Sequence, residues 1–191
     1  MDAINTTIIE FLNKPAVWTI PLYQRTYGWT RSQCEQLWKD IERLAVKSKE
    51  DSHFIGSIVY IESGLYQVSS VSQLLVIDGQ QRLTTLSLLL SAISESLKDG
   101  DSVGGLTQSK IKNYYLLNNE EVGDLAYKLK LTQSDKDTFW RLIQGTALPN
   151  QISLRVQENY KYFINKLKNG EIYKISTMTC VAITVTAIRN A

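Results

Sequence analysis

An apolar strand, a tight turn and a leucine-rich helix follow one another between residues 74 and 97. Leu74 to Ile77 is a continuous apolar run, typical of a buried strand, and it ends at the turn dipeptide Asp78-Gly79. From Gln80 onward, aliphatic residues recur every three or four positions, which is the period of a helix with one apolar face: Leu83, Leu86, Leu90, Ile93 and Leu97. Leu88 and Leu89 widen this stripe. We therefore predict a strand–turn–helix unit whose helix is central and mostly buried.

The remaining pattern predicts a mixed α/β fold. Strands are predicted at residues 16–20, 54–61 and 178–188, with a polar strand within 64–72. Helices are predicted at 4–12, from Thr30 to about residue 45 behind a capping box with Gln33, from an N-cap at Ser134, and over 152–167. The loop Lys98 to Gly105 separates two predicted units, a core at 1–98 and a mainly helical continuation at 106–191.

Composition excludes several classes of protein. Hydrophobic residues make up 43% of the chain, so it is not a disordered protein. The net charge is +2, from 21 Lys and Arg against 19 Asp and Glu, so any DNA binding depends on local placement of charge. One histidine, His53, and two distant cysteines, Cys34 and Cys180, argue against a zinc site and a disulfide framework. The N-terminus lacks the features of a signal peptide and no apolar stretch is long enough to span a membrane, so we expect a cytoplasmic protein.

The turn at residues 78–82 has the chemistry of an anion site. The first N–H groups of a helix are unpaired and its dipole places partial positive charge there, so phosphates bind well at such a junction. Gly79 permits either a positive φ or close approach of a phosphate to the backbone. Arg82 offers a planar fork for two phosphate oxygens, and Asp78 can hold Mg²⁺ or orient a water molecule.

Neighbouring side chains extend this candidate site, and a simpler interpretation competes with it. Gln80 and Gln81 can bond a ribose, a base or a water molecule, and Thr84 or Thr85 can add a hydroxyl. The segment is not a Walker A motif, because no Gly-Lys-Ser/Thr follows. Alternatively, Asp78 and Gln81 form an acidic capping box, and the segment is a plain helix start.

Four blocks of sequence together resemble one family. They are residues 20–29 (Ile-Pro-Leu-Tyr-Gln-Arg-Thr-Tyr-Gly-Trp), 36–41 (Gln-Leu-Trp-Lys-Asp-Ile), 53–58 (His-Phe-Ile-Gly-Ser-Ile) and 77–86 (Ile-Asp-Gly-Gln-Gln-Arg-Leu-Thr-Thr-Leu). In order and spacing they resemble the N-terminal domain of GmrSD-like proteins, a domain-of-unknown-function family of the ParB/sulfiredoxin-like superfamily. The resemblance is strong over residues 15–95 and weaker in the helical continuation.

The resemblance implies a small ParB/sulfiredoxin-like sheet and a nucleoside triphosphate, with Mg²⁺, bound and hydrolysed at the Asp-Gly-Gln-Gln-Arg turn. Such proteins restrict modified phage DNA, which a separate C-terminal nuclease domain of His-Asn-His type cuts. His53 lies in the third block, so we expect that nuclease to be absent from this chain. The family continues with a Phe-Glu-x-Leu-Asn-x-x-Gly-like segment where this chain reaches Ala191, so we expect a truncated protein whose NTPase activity is incomplete.

The expected roles at the turn follow from both lines of reasoning. Asp78, Gln81 and Arg82 are the candidate catalytic residues, with Asp78 as the candidate Mg²⁺ ligand or the residue that orients water. The candidate nucleotide-binding residues are Gln24, Arg25, Gly79, Gln80, Arg82 and Thr84.

Tyr23-Gln24-Arg25 is a second candidate site, which we expect to lie near the turn. There Arg25 and Arg82 can share a phosphate. Alternatively, the three residues sense a DNA modification without catalysis, since an aromatic ring offers a stacking face and an amide a hydrogen bond. Tyr23 can also be a packing residue. A third hypothesis is an assembly piece, a possible homo-oligomer, because the β-rich stretch 178–188 would be a severed edge strand that seeks a partner.

Overall fold

The structure, a computed structural model, describes residues 2–46, 53–62, 71–168 and 183–190. The strands are β1 (Asp2–Thr7), β2 (Ala16–Thr19), β3 (His53–Glu62), β4 (Ser72–Asp78), β5 (Leu129–Lys130) and β6 (Ile183–Asn190). The helices are α1 (Ile8–Asn13), α2 (Arg31–Val46), α3 (Gln80–Ser96), α4 (Gln108–Lys110), α5 (Gln133–Gln144) and α6 (Leu154–Lys166), with a π-helical turn at Ile111–Leu116 and a 3₁₀ turn at Gly123–Ala126. The predicted mixed α/β fold is confirmed.

The strands form one mixed sheet in the order β1-β6-β3-β4-β2-β5. The last described strand, β6, is an interior strand that pairs parallel with β3 and antiparallel with β1. The interpretation of the C-terminal stretch as an unpaired edge strand is therefore wrong for residues 183–190. Residues 178–182 lie outside the described part of the chain.

The N-terminal segment differs from the predicted helix at 4–12. Residues 2–7 form β1 because they pair with β6, and this long-range contact cannot be read from local periodicity. The helix begins only after Thr7, whose hydroxyl accepts a hydrogen bond from the Glu10 backbone N–H (3.2 Å), while the Glu10 carboxylate accepts one from the Thr7 N–H (3.1 Å). This reciprocal pair is a capping box.

Most other predicted elements are confirmed, with shifted ends. Helices α2, α3 and α6 and strands β2 and β3 lie where the sequence predicts them. Helix α5 has its N-cap at Thr132 rather than at Ser134. Along β4, buried Leu74 and Val76 alternate with more exposed neighbours, so β4 is buried on one face only and not continuously. Residues 64–70 of the predicted polar strand lie outside the described ranges.

Helix α3 is the centre of the molecule, as predicted. Thirteen of its residues are buried. The same apolar cluster includes Trp18 on β2 and Phe139 and Phe163 on α5 and α6. Both predicted units therefore share one core and one sheet, and the division at the loop 98–105 stays a prediction. Within the described segments, every helix is too short or too polar to cross a membrane.

Candidate functional site

A pocket of about 310 Å³ opens where β4 ends and α3 begins. Its walls come from the loop after β2 and from the strand–turn–helix junction. The lining residues are Tyr23, Gln24, Arg25, Trp29, Ile77, Asp78, Gly79, Gln80, Gln81 and Arg82. Two segments that are more than 50 residues apart in sequence thus meet in space, as expected for the two candidate sites. Of the predicted site residues, Thr84 and its alternative Thr85 do not line the pocket.

Helix α3 begins without a side-chain cap. Its N-cap residue is Gly79, with φ +90°, and among the described residues no side chain makes a capping hydrogen bond to the first turn. The alternative in which Asp78 and Gln81 form a capping box is therefore wrong. A Cβ on Gly79 would lie 2.7 Å from the Ser57 carbonyl oxygen, so both the backbone angle and the closeness of β3 require glycine. The uncapped first turn faces the pocket with its N–H groups and the positive end of its dipole.

Arg82 spans the space between α3 and β3. Its Nη2 donates to the Ser57 carbonyl at 2.7 Å and lies 3.7 Å from the Asp78 carboxylate. Its Nε is buried and has no hydrogen-bond partner among the described residues. One part of the guanidinium therefore has a structural contact, while about a quarter of the side chain, 27%, stays open to the pocket.

Gln81 holds the loop that carries the second candidate site. Its Oε1 accepts hydrogen bonds from the N–H groups of Gly28 (2.8 Å) and Trp29 (3.2 Å), and its Nε2 donates to the Thr26 carbonyl (3.2 Å). Because these bonds occupy both ends of a buried amide, Gln81 positions the loop and has little left to offer a ligand.

Helices α5 and α6 hold the same loop from the other side. The buried Asp135 carboxylate accepts from the Tyr27 N–H at 2.6 Å and from the Ser153 hydroxyl at 2.7 Å. Asn159 Nδ2 donates to the Trp29 carbonyl at 2.8 Å and to the Tyr27 hydroxyl at 2.9 Å. The sequence analysis did not identify Asp135 or Asn159. Their only sequence signal is a polar residue among the apolar positions of a helix.

Gln24 is anchored to the end of β4. Its Nε2 donates to the carbonyls of Val76 (2.7 Å) and Ile77 (3.0 Å). The loop backbone also closes locally, through a hydrogen bond from the Gln24 N–H to the Pro21 carbonyl at 3.0 Å. Gln24 therefore connects the second candidate site directly to the strand that ends at Asp78.

The pocket keeps several polar groups available. Arg25 is exposed, and the side chains of Arg25 and Gln80 make no hydrogen bond or ion pair with the described residues. The Asp78 side chain is 71% exposed, and the Tyr23 ring lies at the mouth with 79% of its surface exposed. Thr84 differs, because its buried hydroxyl donates to the Gln80 carbonyl at 2.8 Å.

The hydroxyl and thiol groups buried behind the loop are uncharged at neutral pH. The Tyr27 hydroxyl lies 2.7 Å from the Thr85 hydroxyl and 4.0 Å from the Cys34 sulfur. Burial raises the pKa of the Cys34 thiol to about 11 and also raises the pKa of Tyr27, so both groups stay protonated at neutral pH. Cys34 is thus a buried free thiol, as expected. Cys180 and the His53 side chain lie outside what the structure describes.

A metal ion would bind at this pocket only together with a ligand that supplies further donor atoms. Across residues 2–46, 53–62, 71–168 and 183–190, no three His, Cys, Asp or Glu side chains lie close enough to hold an ion. Asp78 is the carboxylate among the pocket-lining residues. This donor set fits Mg²⁺ as magnesium commonly binds phosphorylated substrates, through one carboxylate, phosphate oxygens and water.

Comparison with known proteins identifies the family. No curated protein sequence matches the chain. Residues 8–188 match the family described as "GmrSD restriction endonuclease, N-terminal domain", so the match spans β2, β4, α3 and all of the pocket. This match includes the helical continuation, where the four sequence blocks gave only weak resemblance. The chain therefore belongs to the GmrSD restriction endonuclease N-terminal domain family.

Proposed function

We propose that this chain is the nucleotide-binding regulatory module of a restriction protein and that its triphosphate site is the pocket at the start of α3. The observation that carries the proposal is that the uncapped first turn of α3 and two arginines line one pocket. The guanidinium of Arg25 is exposed, and that of Arg82 is partly exposed. Two cations and a helix N-terminus make a strong anion site.

The chemistry of hydrolysis is assigned to the exposed groups. The N–H groups of residues 79–81 cradle the phosphates, and Arg25 and Arg82 neutralise their charge. Asp78 would hold Mg²⁺, which would neutralise phosphate charge, or would orient the attacking water, and Gln80 is free to bond the same water. Gln81 acts through the loop that it holds, and Thr84 stabilises the first turn.

Nucleotide state would control a C-terminal nuclease domain that cuts foreign DNA. The loop at residues 23–29 would transmit the nucleotide state from the pocket to the later helices, because it lines the pocket and is bound by Asp135 on α5 and Asn159 on α6. Movement of this loop on nucleotide binding would change the packing of α5 and α6.

The first test is calorimetric titration of the four nucleoside triphosphates with Mg²⁺. Arg25→Ala is the informative variant, since Arg25 makes no hydrogen bond or ion pair with the described residues and its loss should not affect folding. Arg155→Ala is the matched control, because Arg155 is exposed on α6 and pairs with Glu158.

We expect micromolar binding that falls at least about tenfold in Arg25→Ala, the loss of one charge-assisted contact, and is unchanged in Arg155→Ala. Arg82→Ala should abolish binding, but its melting temperature must be measured too, because Arg82 also bonds Ser57. A folded wild-type chain that binds no nucleotide overturns the proposal.

A second candidate function is DNA-modification sensing at the pocket mouth. Leu22 and Tyr23 are 82% and 79% exposed, although large apolar side chains are usually buried, and an exposed ring can stack on a base. Fluorescence anisotropy with modified and unmodified duplexes, at several salt concentrations, tests it. Affinity for the modified duplex that is lost in Tyr23→Ala, kept in Arg82→Ala and insensitive to nucleotide would favour this function.

A further inference from the structure

The orientation of the Gln24 amide is fixed by its partners. Both atoms within hydrogen-bond distance of Nε2 are carbonyl oxygens, those of Val76 (2.7 Å) and Ile77 (3.0 Å). A carbonyl oxygen only accepts hydrogen bonds, so the NH₂ end of the amide must face β4. The opposite orientation would place Oε1 against the two carbonyl oxygens, and none of these three oxygens can donate to another.

This orientation determines what Gln24 can offer a ligand. Both N–H groups are used, and Oε1 makes no hydrogen bond with the described residues. Gln24 lines the pocket. It therefore meets a ligand as an acceptor, so it cannot bind a phosphate oxygen, which is an acceptor as well. A group next to Gln24 must carry a hydrogen-bond donor.

The neighbouring residues indicate which donor this is. Tyr23, Gln24 and Arg25 follow one another along the chain and line the same pocket. Tyr23 offers an exposed ring on which a base can stack, and Arg25 offers a cation for a phosphate. In a nucleotide, the sugar lies between the base and the phosphates, and its hydroxyl groups are donors.

We propose that Gln24 Oε1 accepts a hydrogen bond from a ribose hydroxyl and so selects ribonucleotides over deoxyribonucleotides. This inference rests on the proposed nucleotide site and adds its sugar specificity. A pocket that bonds a hydroxyl discriminates against the analogue that lacks it, because the acceptor then remains without a partner.

The test compares sugars on the whole chain. Calorimetry measures the affinities of ATP, 2′-deoxy-ATP and 3′-deoxy-ATP, with Mg²⁺, for the wild type and for Gln24→Lys. A lysine ammonium can still donate to the Val76 and Ile77 carbonyls, but it has no acceptor. The added charge strengthens the binding of all three triphosphates alike, so the quantity to compare is the ratio of the ATP affinity to that of each deoxy analogue. Gln36→Lys, an exposed substitution on α2, is the control for charge.

We expect one of the two deoxy analogues to bind about tenfold more weakly than ATP in the wild type and in Gln36→Lys, and equally well in Gln24→Lys. Purine riboside triphosphate, which lacks the amino group of adenine, should bind as ATP does. Three outcomes overturn the inference: equal affinity for all sugars, discrimination that survives in Gln24→Lys, or discrimination that follows the amino group. If no nucleotide binds at all, the proposed function itself fails, and that result is distinct from equal affinities.

Discussion

The guanidinium of Arg82 lies directly against the position that a Cβ at Gly56 would take. A Cβ on Gly56 would be 3.1 Å from both Cζ and Nε of Arg82. The carbonyl oxygen of the next residue, Ser57, accepts a hydrogen bond from Arg82 Nη2. The same oxygen lies 2.7 Å from the position that a Cβ on Gly79 would take. The third and fourth sequence blocks are therefore parts of one contact, in which β3 supports the start of α3.

Gly56→Ala should destabilise the protein and displace Arg82. The substitution places a side chain at φ +110° and against the guanidinium, so we expect a loss of about 2 kcal/mol or more in the free energy of unfolding, measured with urea. Gly100→Ala is the control, because Gly100 has φ +88° but nothing within 4 Å of its Cβ position. Equal losses in the two variants would mean that the backbone angle, and not the contact with Arg82, requires the glycine.

Gln81→Ala should loosen the loop at residues 23–29. It leaves the partly buried N–H groups of Gly28 and Trp29 without their acceptor, and the loss of such a hydrogen bond costs about 0.5–1.5 kcal/mol. Gln80→Ala, one position earlier on the same helix, removes no hydrogen bond with the described residues and should change stability by less than about 0.5 kcal/mol. Urea unfolding of both variants measures the difference, and similar values would contradict the assigned role of Gln81.

Sequence reasoning predicted the pocket-lining residues better than it predicted what they do. The helical period of α3 and the Asp-Gly turn are local signals, and the four blocks identified both segments that meet at the pocket. The hydrogen bonds of Gln81 to residues 26–29 join positions more than 50 apart, and no local pattern specifies such pairs. The same limit explains why β1 was predicted as helix, since its strand partner lies at the other end of the chain.

Asp135→Ala should release the Tyr27 backbone. The carboxylate accepts from the Tyr27 N–H, the Thr132 hydroxyl and the Ser153 hydroxyl, and alanine leaves all three without this acceptor. We expect a loss of about 1–3 kcal/mol in stability and faster hydrogen exchange at the Tyr27 amide. Asp137→Ala, exposed on the same helix, should leave stability and exchange unchanged. Unaltered exchange at Tyr27 in Asp135→Ala would show that the loop does not depend on α5.

Lys128 should make stability rise with pH in the alkaline range. Its side chain is buried, with Nζ donating to the Lys14 carbonyl at 2.5 Å, and burial lowers its pKa from 10.5 to about 8. Between these two values the unfolded chain holds a proton on this lysine that the folded chain has released. At this residue the unfolded state therefore binds more protons, and the contribution of Lys128 to the free energy of unfolding increases with pH in this window.

Urea unfolding at about pH 7.5 and about pH 9.5 measures the effect: the change in stability between the two pH values should be about 1–2 kcal/mol more positive in the wild type than in Lys128→Met. The net rise in the wild type is smaller, because burial raises the pKa of Cys34 to about 11, and from about pH 9 the unfolded chain loses the thiol proton before the folded chain does. Above about pH 10, Tyr160 and Tyr162, whose pKa values burial raises to about 12, oppose the rise in the same way. Lys128→Met should lack the increase between the two pH values, whereas Lys161→Met, at an exposed position on α6, should keep it. Parallel pH profiles for the wild type and Lys128→Met would show that the buried amine stays charged in the folded protein.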